Sequence, residues 1–156
     1  MIELFSKTPN LIPTPKGSTI TTIPADENVS SLSAILLNDD YYNWIQTGRE
    51  GIDGIYMIGA EYLIPLKACA WLDLTARKQA GEKIDSKKIS KHSNDILRLY
   101  QILDLTKELD VPELIATDME NFLIELANQE IDLKNFSLQQ ISLEQIVTDI
   151  RQLYSL

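Results

Sequence analysis

Between Glu61 and Ala80 the chain carries a helix-length segment that is apolar nearly all round: Leu63, Ile64, Leu66, Ala68, Cys69, Ala70, Trp71, Leu72 and Leu74. A helix without a polar face belongs at the centre of a fold, with other elements packed around it. Pro65 is tolerated in its opening turns and Gly81 ends it. The stretch Tyr62 to Leu74 is too short to span a bilayer and is interrupted by Lys67 and Asp73. Lys67 sits in the middle of this helix, and a buried ammonium is costly without an anion. The residues leave three solutions open: a carboxylate from a neighbouring element, a bound phosphate, or a side chain that runs over the apolar surface to reach water.

The segments that follow supply the packing partners. After a link of about four residues, short enough to make antiparallel neighbours, Asp85 or Ser86 caps a second long helix running to Leu103. Its core stripe is Ile89, Ile96, Leu99 and Leu103, with His92 on the same stripe. A third helix opens at Asp110 as cap, with Pro112 in the first turn and Glu113 three residues on. Its apolar face is Ile115, Met119, Phe122 and Leu126. Ser142 to Gln145 reads as a capping box for a last helix, with Ile141 and Ile146 as a staple and Ile146, Ile150 and Leu153 as the core face.

Upstream, three short segments rich in β-branched and aromatic residues read as strands: Ile2 to Phe5, Thr19 to Ile23 and Gly54 to Ile58. Two short helices are expected between the second and third. The first carries Val29, Leu32, Ile35 and Leu36 on one face; the second, capped by Asp39, carries Tyr41, Tyr42, Trp44 and Ile45 and stops at Gly48. The fold class expected is therefore α+β: a small two- or three-stranded sheet with short helices over 1–60 and a helical bundle over 61–156, together one compact unit. So small a sheet has open edges, and a second copy or a partner chain could pair with the first strand.

Charge differs by region. The 156 residues carry a net charge of −9, which disfavours non-specific binding of nucleic acid by the surface as a whole. Residues 67–98 hold 8 basic and 4 acidic groups, while 99–156 hold 3 basic and 11 acidic. A bound phosphate therefore belongs in the basic middle, whose plainer reading is a solvated lysine-rich helix face. Lys88, Lys91, Asp95 and Arg98 share one stripe of the second long helix, as an exposed ion ladder or as a set in which Asp95 holds a basic group or takes a proton. The chain has no glycine-rich phosphate loop, no cysteine pair for zinc and no nucleophile-elbow serine; its single cysteine, Cys69, excludes an intrachain disulfide. A hydrolase built on His92 would lack a nucleophile motif. The amino terminus lacks the charged start and apolar run of a signal peptide, so the chain reads as a cytoplasmic protein without a membrane anchor.

The middle of the chain carries a resemblance. Tyr62-Leu-Ile-Pro-Leu-Lys67-Ala-Cys-Ala-Trp-Leu-Asp-Leu, then Arg77, then Ile89-Ser-Lys-His92-Ser-Asn-Asp95-Ile-Leu-Arg98-Leu, resembles the AbiEii/AbiGii-type nucleotidyltransferase toxin family. There, "leucine, isoleucine, two residues, lysine" opens a helix, and an arginine and an aspartate-bearing D-x-x-x-L helix follow. The segment from Ile23 to Leu37 is similar as well, and the likeness covers roughly residues 1–105. It implies that Lys67 contacts a nucleotide phosphate, with Arg77, Lys91 and Arg98 as further basic contacts. It also implies that Asp95 is the catalytic or orienting carboxylate and that Glu3 is a third acidic residue near the metal. The family's Gly-Ser turn and magnesium-binding Asp-x-Asp strand would precede Glu3, where this sequence has only two residues. The resemblance thus implies the rear half of a nucleotidyltransferase fold: a truncated or split protein of toxin–antitoxin type, inactive alone. Magnesium would bind only if the missing carboxylates came in trans. The alternative from another class is a non-enzymatic interaction or scaffold protein that pairs through its open strand edge or its acidic helical tail.

Overall fold

The computed structural model describes residues 4–7, 20–22 and 33–156, with side chains from 38 onward except at 52. Its class is α+β, as the sequence implies. Two compact units form, 1–47 and 48–156.

In the first unit, β1 (Leu4–Lys7), β2 (Ile20–Thr22) and β3 (Ser33–Leu37) make one sheet in the order β1-β3-β2. β3 runs parallel to β1, with Phe5 opposite Ile35, and antiparallel to β2, with Ile20 opposite Ile35. The helix expected over Val29 to Leu36 is therefore corrected over its second half, where Ser33–Leu37 is the central strand; Val29 to Leu32 lie outside the described residues. A short continuous apolar run fits a buried strand as well as a helical face, and strand neighbours decide between them. α1 (Asp39–Thr47) follows, with Tyr41, Trp44 and Ile45 buried. Its cap is Asn38 rather than Asp39: the Asn38 side-chain oxygen accepts from the Tyr41 amide at 2.9 Å.

The second unit opens with a hairpin, β4 (Arg49–Ile52) and β5 (Ile55–Ile58). The sequence reading missed β4. Its signal was the Asp53-Gly54 pair, with φ 51° and 79°, the left-handed pair that a two-residue hairpin turn requires. Four helices follow: α2 (Ala60–Gln79), α3 (Ser86–Tyr100), α4 (Glu113–Ala127) and α5 (Leu143–Leu153), with a 3₁₀ turn at Leu133–Phe136 before the last. Asp85 caps α3 through the Lys87 amide at 2.9 Å. Ser142 caps α5 through the Gln145 amide at 3.1 Å. Only half of the capping box forms, because the Gln145 side chain donates its Nε2 forward to Asp149 at 2.7 Å, which also accepts the Tyr100 hydroxyl at 2.5 Å. The Asp110 cap is corrected too: α4 starts at Glu113 behind Pro112, with no side-chain cap.

α2 packs against α3 and α4, and α4 against α5. Ile64, Ile96, Leu97, Ile115, Met119, Phe122, Leu123, Leu126, Ile146 and Ile150 are fully or almost fully enclosed. The Trp71 and Phe122 rings meet edge to face, with centroids 5.5 Å apart at 77°. The expectation that α2 is buried all round is corrected. Ala60, Ile64, Pro65, Ala68 and Trp71 form its buried stripe, while Leu63, Leu66, Leu72 and Leu74 are half-buried, because α3 and α4 cover one side of it.

Pro65 has a consequence at the other end of the chain. Proline brings no N–H to the carbonyl four residues earlier, that of Glu61. The Tyr154 hydroxyl donates to that carbonyl instead, at 2.6 Å, and Tyr154 is 1% exposed. Nearby, Lys107 donates to the Glu61 carboxylate at 2.9 Å and the Leu109 amide to the Leu153 carbonyl at 2.7 Å. The segment from 104 to 110 and the end of α5 are thus tied to the start of α2.

Two predictions follow from this clamp. Tyr154→Phe removes a donor from a partly buried carbonyl and should cost about 1–2 kcal/mol in urea unfolding. In a Pro65→Ala background, where residue 65 regains its N–H, the cost should shrink, and an unchanged cost refutes the pairing. Stability should also depend on pH at both ends. Burial pushes the Glu61 carboxyl up, but its own backbone N–H and Lys107 outweigh that and hold it below the usual 4.5. Arg77 lowers Glu82, and Thr106 lowers Asp104. Lowered carboxyls contribute stability above their unfolded values and lose it as pH falls through the folded ones. Tyr100 and Tyr154, raised by burial first, contribute below their usual 10.0 and lose it above. Urea midpoints should therefore fall as pH drops below about 4.5 and as it rises above about 10.

Candidate functional site

The five-residue link after Ala80 reverses the chain, with Gly81 at φ 95° making the turn, and lays α3 antiparallel against α2. This brings Lys67, midway along α2, opposite Asp95 on α3. The Lys67 ammonium lies 3.8 Å from Asp95 Oδ2, with the two side chains 14% and 24% exposed. That distance makes an ion pair rather than a direct hydrogen bond. Asp95 Oδ1 accepts from Arg98 Nη1 at 3.2 Å, one turn further along α3. One carboxylate is therefore shared between two cations, and the trio carries a net charge of +1.

Arg98 extends the arrangement outward. Its guanidinium lies 5.6 Å from the Phe136 ring, and it lines an open cleft of about 350 Å³ between α3 and the segment after α4. Ser90, Asn94, Asp132 and Asn135 line the same cleft, so its chemistry is polar, with both donors and acceptors. Ser93, the buried polar residue of α3, donates its hydroxyl to the Ser90 carbonyl at 3.1 Å.

The remaining expected site residues lie apart from the trio. Arg77 is ten residues beyond Lys67, about 15 Å along a helix. It is held by its own carboxylates, Glu82 at 2.8 Å and Asp73 at 3.3 Å. Its guanidinium pKa is raised, chiefly by the bonds to Glu82 and then Asp73. Arg77 thus staples the end of α2 to the following turn. Lys91 is exposed on α3, one turn before Asp95, and His92 and Cys69 are half-buried. Glu3 lies outside the described residues. Among the described residues, no group of three or more His, Cys, Asp or Glu could hold a metal ion, and no helix is long and apolar enough to cross a membrane. The sequence reading did not anticipate the polar cleft: Asn94 and Asn135 are distant in sequence and carry no local pattern.

No family model matches the chain, and no curated protein or solved structure matches it.

Breaking the Lys67–Asp95 pair tests its structural share. Lys67→Met and Asp95→Asn should each cost about 1–3 kcal/mol, between exposed and fully buried pairs. The double substitution should cost less than the two added together. Strict additivity in urea unfolding shows that the groups do not interact.

Proposed function

We propose that this chain is a nucleotidyltransferase-like protein of toxin–antitoxin type, the rear portion of that fold, with a remnant phosphate site at Lys67 and Arg98 oriented by Asp95. The observation that supports it is the meeting of Lys67 and Asp95 across α2 and α3 at 3.8 Å, with Arg98 on the same carboxylate. Lys67 and Arg98 bring two cationic donors to one carboxylate, and Arg98 also lines the open polar cleft, so phosphate oxygens would find cationic donors there. Lys91 adds charge one turn away, while Arg77 stays with Asp73 and Glu82.

In this reading the chain binds phosphate weakly and transfers nothing alone. Magnesium has a role only where paired carboxylates orient a triphosphate, and those would come from another chain or from residues outside the described ones. With them, the pair would transfer a nucleoside monophosphate to an RNA end or a protein hydroxyl. The test is a titration with tripolyphosphate followed by amide NMR shifts. Shifts around Lys67, Lys91 and Arg98 with a dissociation constant on the order of 1 mM, lost in Lys67→Gln and indifferent to magnesium, are expected. No shift at Lys67 overturns the site. Micromolar, magnesium-dependent binding of ATP overturns the need for a second source of carboxylates.

A second reading, a non-enzymatic interaction protein, is favoured by the exposed hairpin β4–β5, where Ile55, Tyr56 and Met57 are 66%, 63% and 50% exposed. Reversal of Lys67 separates the two: it should remove phosphate binding and leave pairing of a pure scaffold unchanged.

A further inference from the structure

We infer that the exposed face of α3, from Lys87 through Lys91 to Arg98, and the polar cleft beside it bind a short segment of single-stranded RNA, with phosphates along the cations and one base in the cleft. The first observation is how the cations are partnered. Among the described residues, Lys67, Arg77, Arg98, Lys107 and Arg151 each pair with a carboxylate. Lys83, Lys87, Lys88 and Lys91 hold none, although acidic residues outnumber basic ones by 23 to 14, and all four are exposed.

Their placement is costly to the free chain. Lys87 and Lys88 stand in the first turn of α3, which has no acidic residue, and cations there oppose the helix dipole. Lys91 is four residues from Lys87 and three from Lys88, so like charges also face each other. A polyanion relieves both costs at once. Lys87, Lys91 and Arg98 fall within about 40° of one another around the helix and span about 16 Å along it, so they form a row. A row suits a phosphodiester chain. A membrane surface would engage exposed apolar side chains beside the lysines, and Ile89, Ile96 and Leu97 of α3 are buried.

The cleft runs beside this row. Arg98 belongs to both, and its volume of about 350 Å³ accommodates one nucleobase. Asn94, Gln129 and Asn135 offer amides there, and Glu130 and Asp132 offer carboxylates. Asp132 spends one oxygen on the Lys134 amide, at 3.1 Å, and keeps the other. A carboxylate oxygen accepts from the exocyclic amino group of cytosine or adenine, which uracil lacks, and from a ribose 2′-hydroxyl, which DNA lacks. An acidic peptide would set its own carboxylates against Glu130 and Asp132, whereas a nucleotide brings donors to them and its charge to the lysines. The face shares Lys91 and Arg98 with the phosphate site proposed above but not Lys67, its centre, and does not depend on that reading.

The experiment titrates the full chain into labelled oligocytidylate, oligoadenylate and oligouridylate of about eight nucleotides, read by fluorescence anisotropy over a range of salt. A dissociation constant on the order of 0.1 mM at low salt is expected, with a log–log salt slope of about −2 from about three phosphate contacts. The cytidine and adenosine oligomers should bind about threefold or more tighter than the uridine one. Lys87→Gln combined with Lys91→Gln should weaken binding about tenfold and bring the slope to about −0.7. Both lysines are exposed, so the fold should survive, and circular dichroism checks this. Glu130→Gln with Asp132→Asn should erase the base preference without weakening binding, since asparagine still caps the 3₁₀ turn. Lys67→Gln should remove tripolyphosphate binding and leave RNA affinity within about twofold, so each reading can fail without the other. Absence of binding at low salt overturns the inference, and so does binding that the paired lysine substitutions leave intact. Equal affinity for DNA of the same sequence, for polyglutamate or for phosphatidylserine vesicles overturns the choice of RNA.

Discussion

The second unit depends on a carbonyl that its own helix cannot serve. Pro65 withholds an N–H from Glu61, and the hydroxyl of Tyr154, brought from 93 residues away, donates in its place. Since Tyr154 follows the last turn of α5, the two ends of the helical region must meet for this bond to form. Lys107 on the Glu61 carboxylate and Leu109 on the Leu153 carbonyl then fasten the connection between α3 and α4 at the same point. A residue that would ordinarily weaken a helix here specifies where the chain closes.

The same helix poses a second electrostatic problem. Lys67 lies within an otherwise apolar stretch, and Asp95 meets it where α3 crosses α2. The carboxylate is shared with Arg98, which in turn faces the Phe136 ring and the polar cleft. Charge therefore runs from a half-buried position on α2 to the surface beside α3. Arg77 shows the contrasting case: with Asp73 and Glu82 as near neighbours in sequence, its charge is neutralised locally and stabilises a helix end.

The helical half was more legible than the sheet. Ile115, Met119, Phe122 and Leu126 recur at helical spacing and are buried as expected; so are Ile146, Ile150 and Leu153. Helices make their bonds within a few residues, so spacing and caps such as Asp85 and Ser142 carry their signal. Ser33–Leu37 shows the opposite. Its five residues look alike as helix or strand, and β1 and β2, which decide the matter, lie 11 or more residues away in the chain. At Asp149 the local pattern also misled: Gln145 had a capping role within its own helix, and a carboxylate one turn on, already engaged by Tyr100, drew its amide away.

Periodicity, caps and turn residues, all local, determined the α+β class, the α2–α3 hairpin and the core faces of α4 and α5. They also determined that Lys67, placed on an apolar helix, would need either an anion or a route to water. Which of these Lys67 finds, and which donor serves the Glu61 carbonyl, were decided only by the tertiary structure. Each depends on two groups far apart in sequence, and no local preference encodes their meeting.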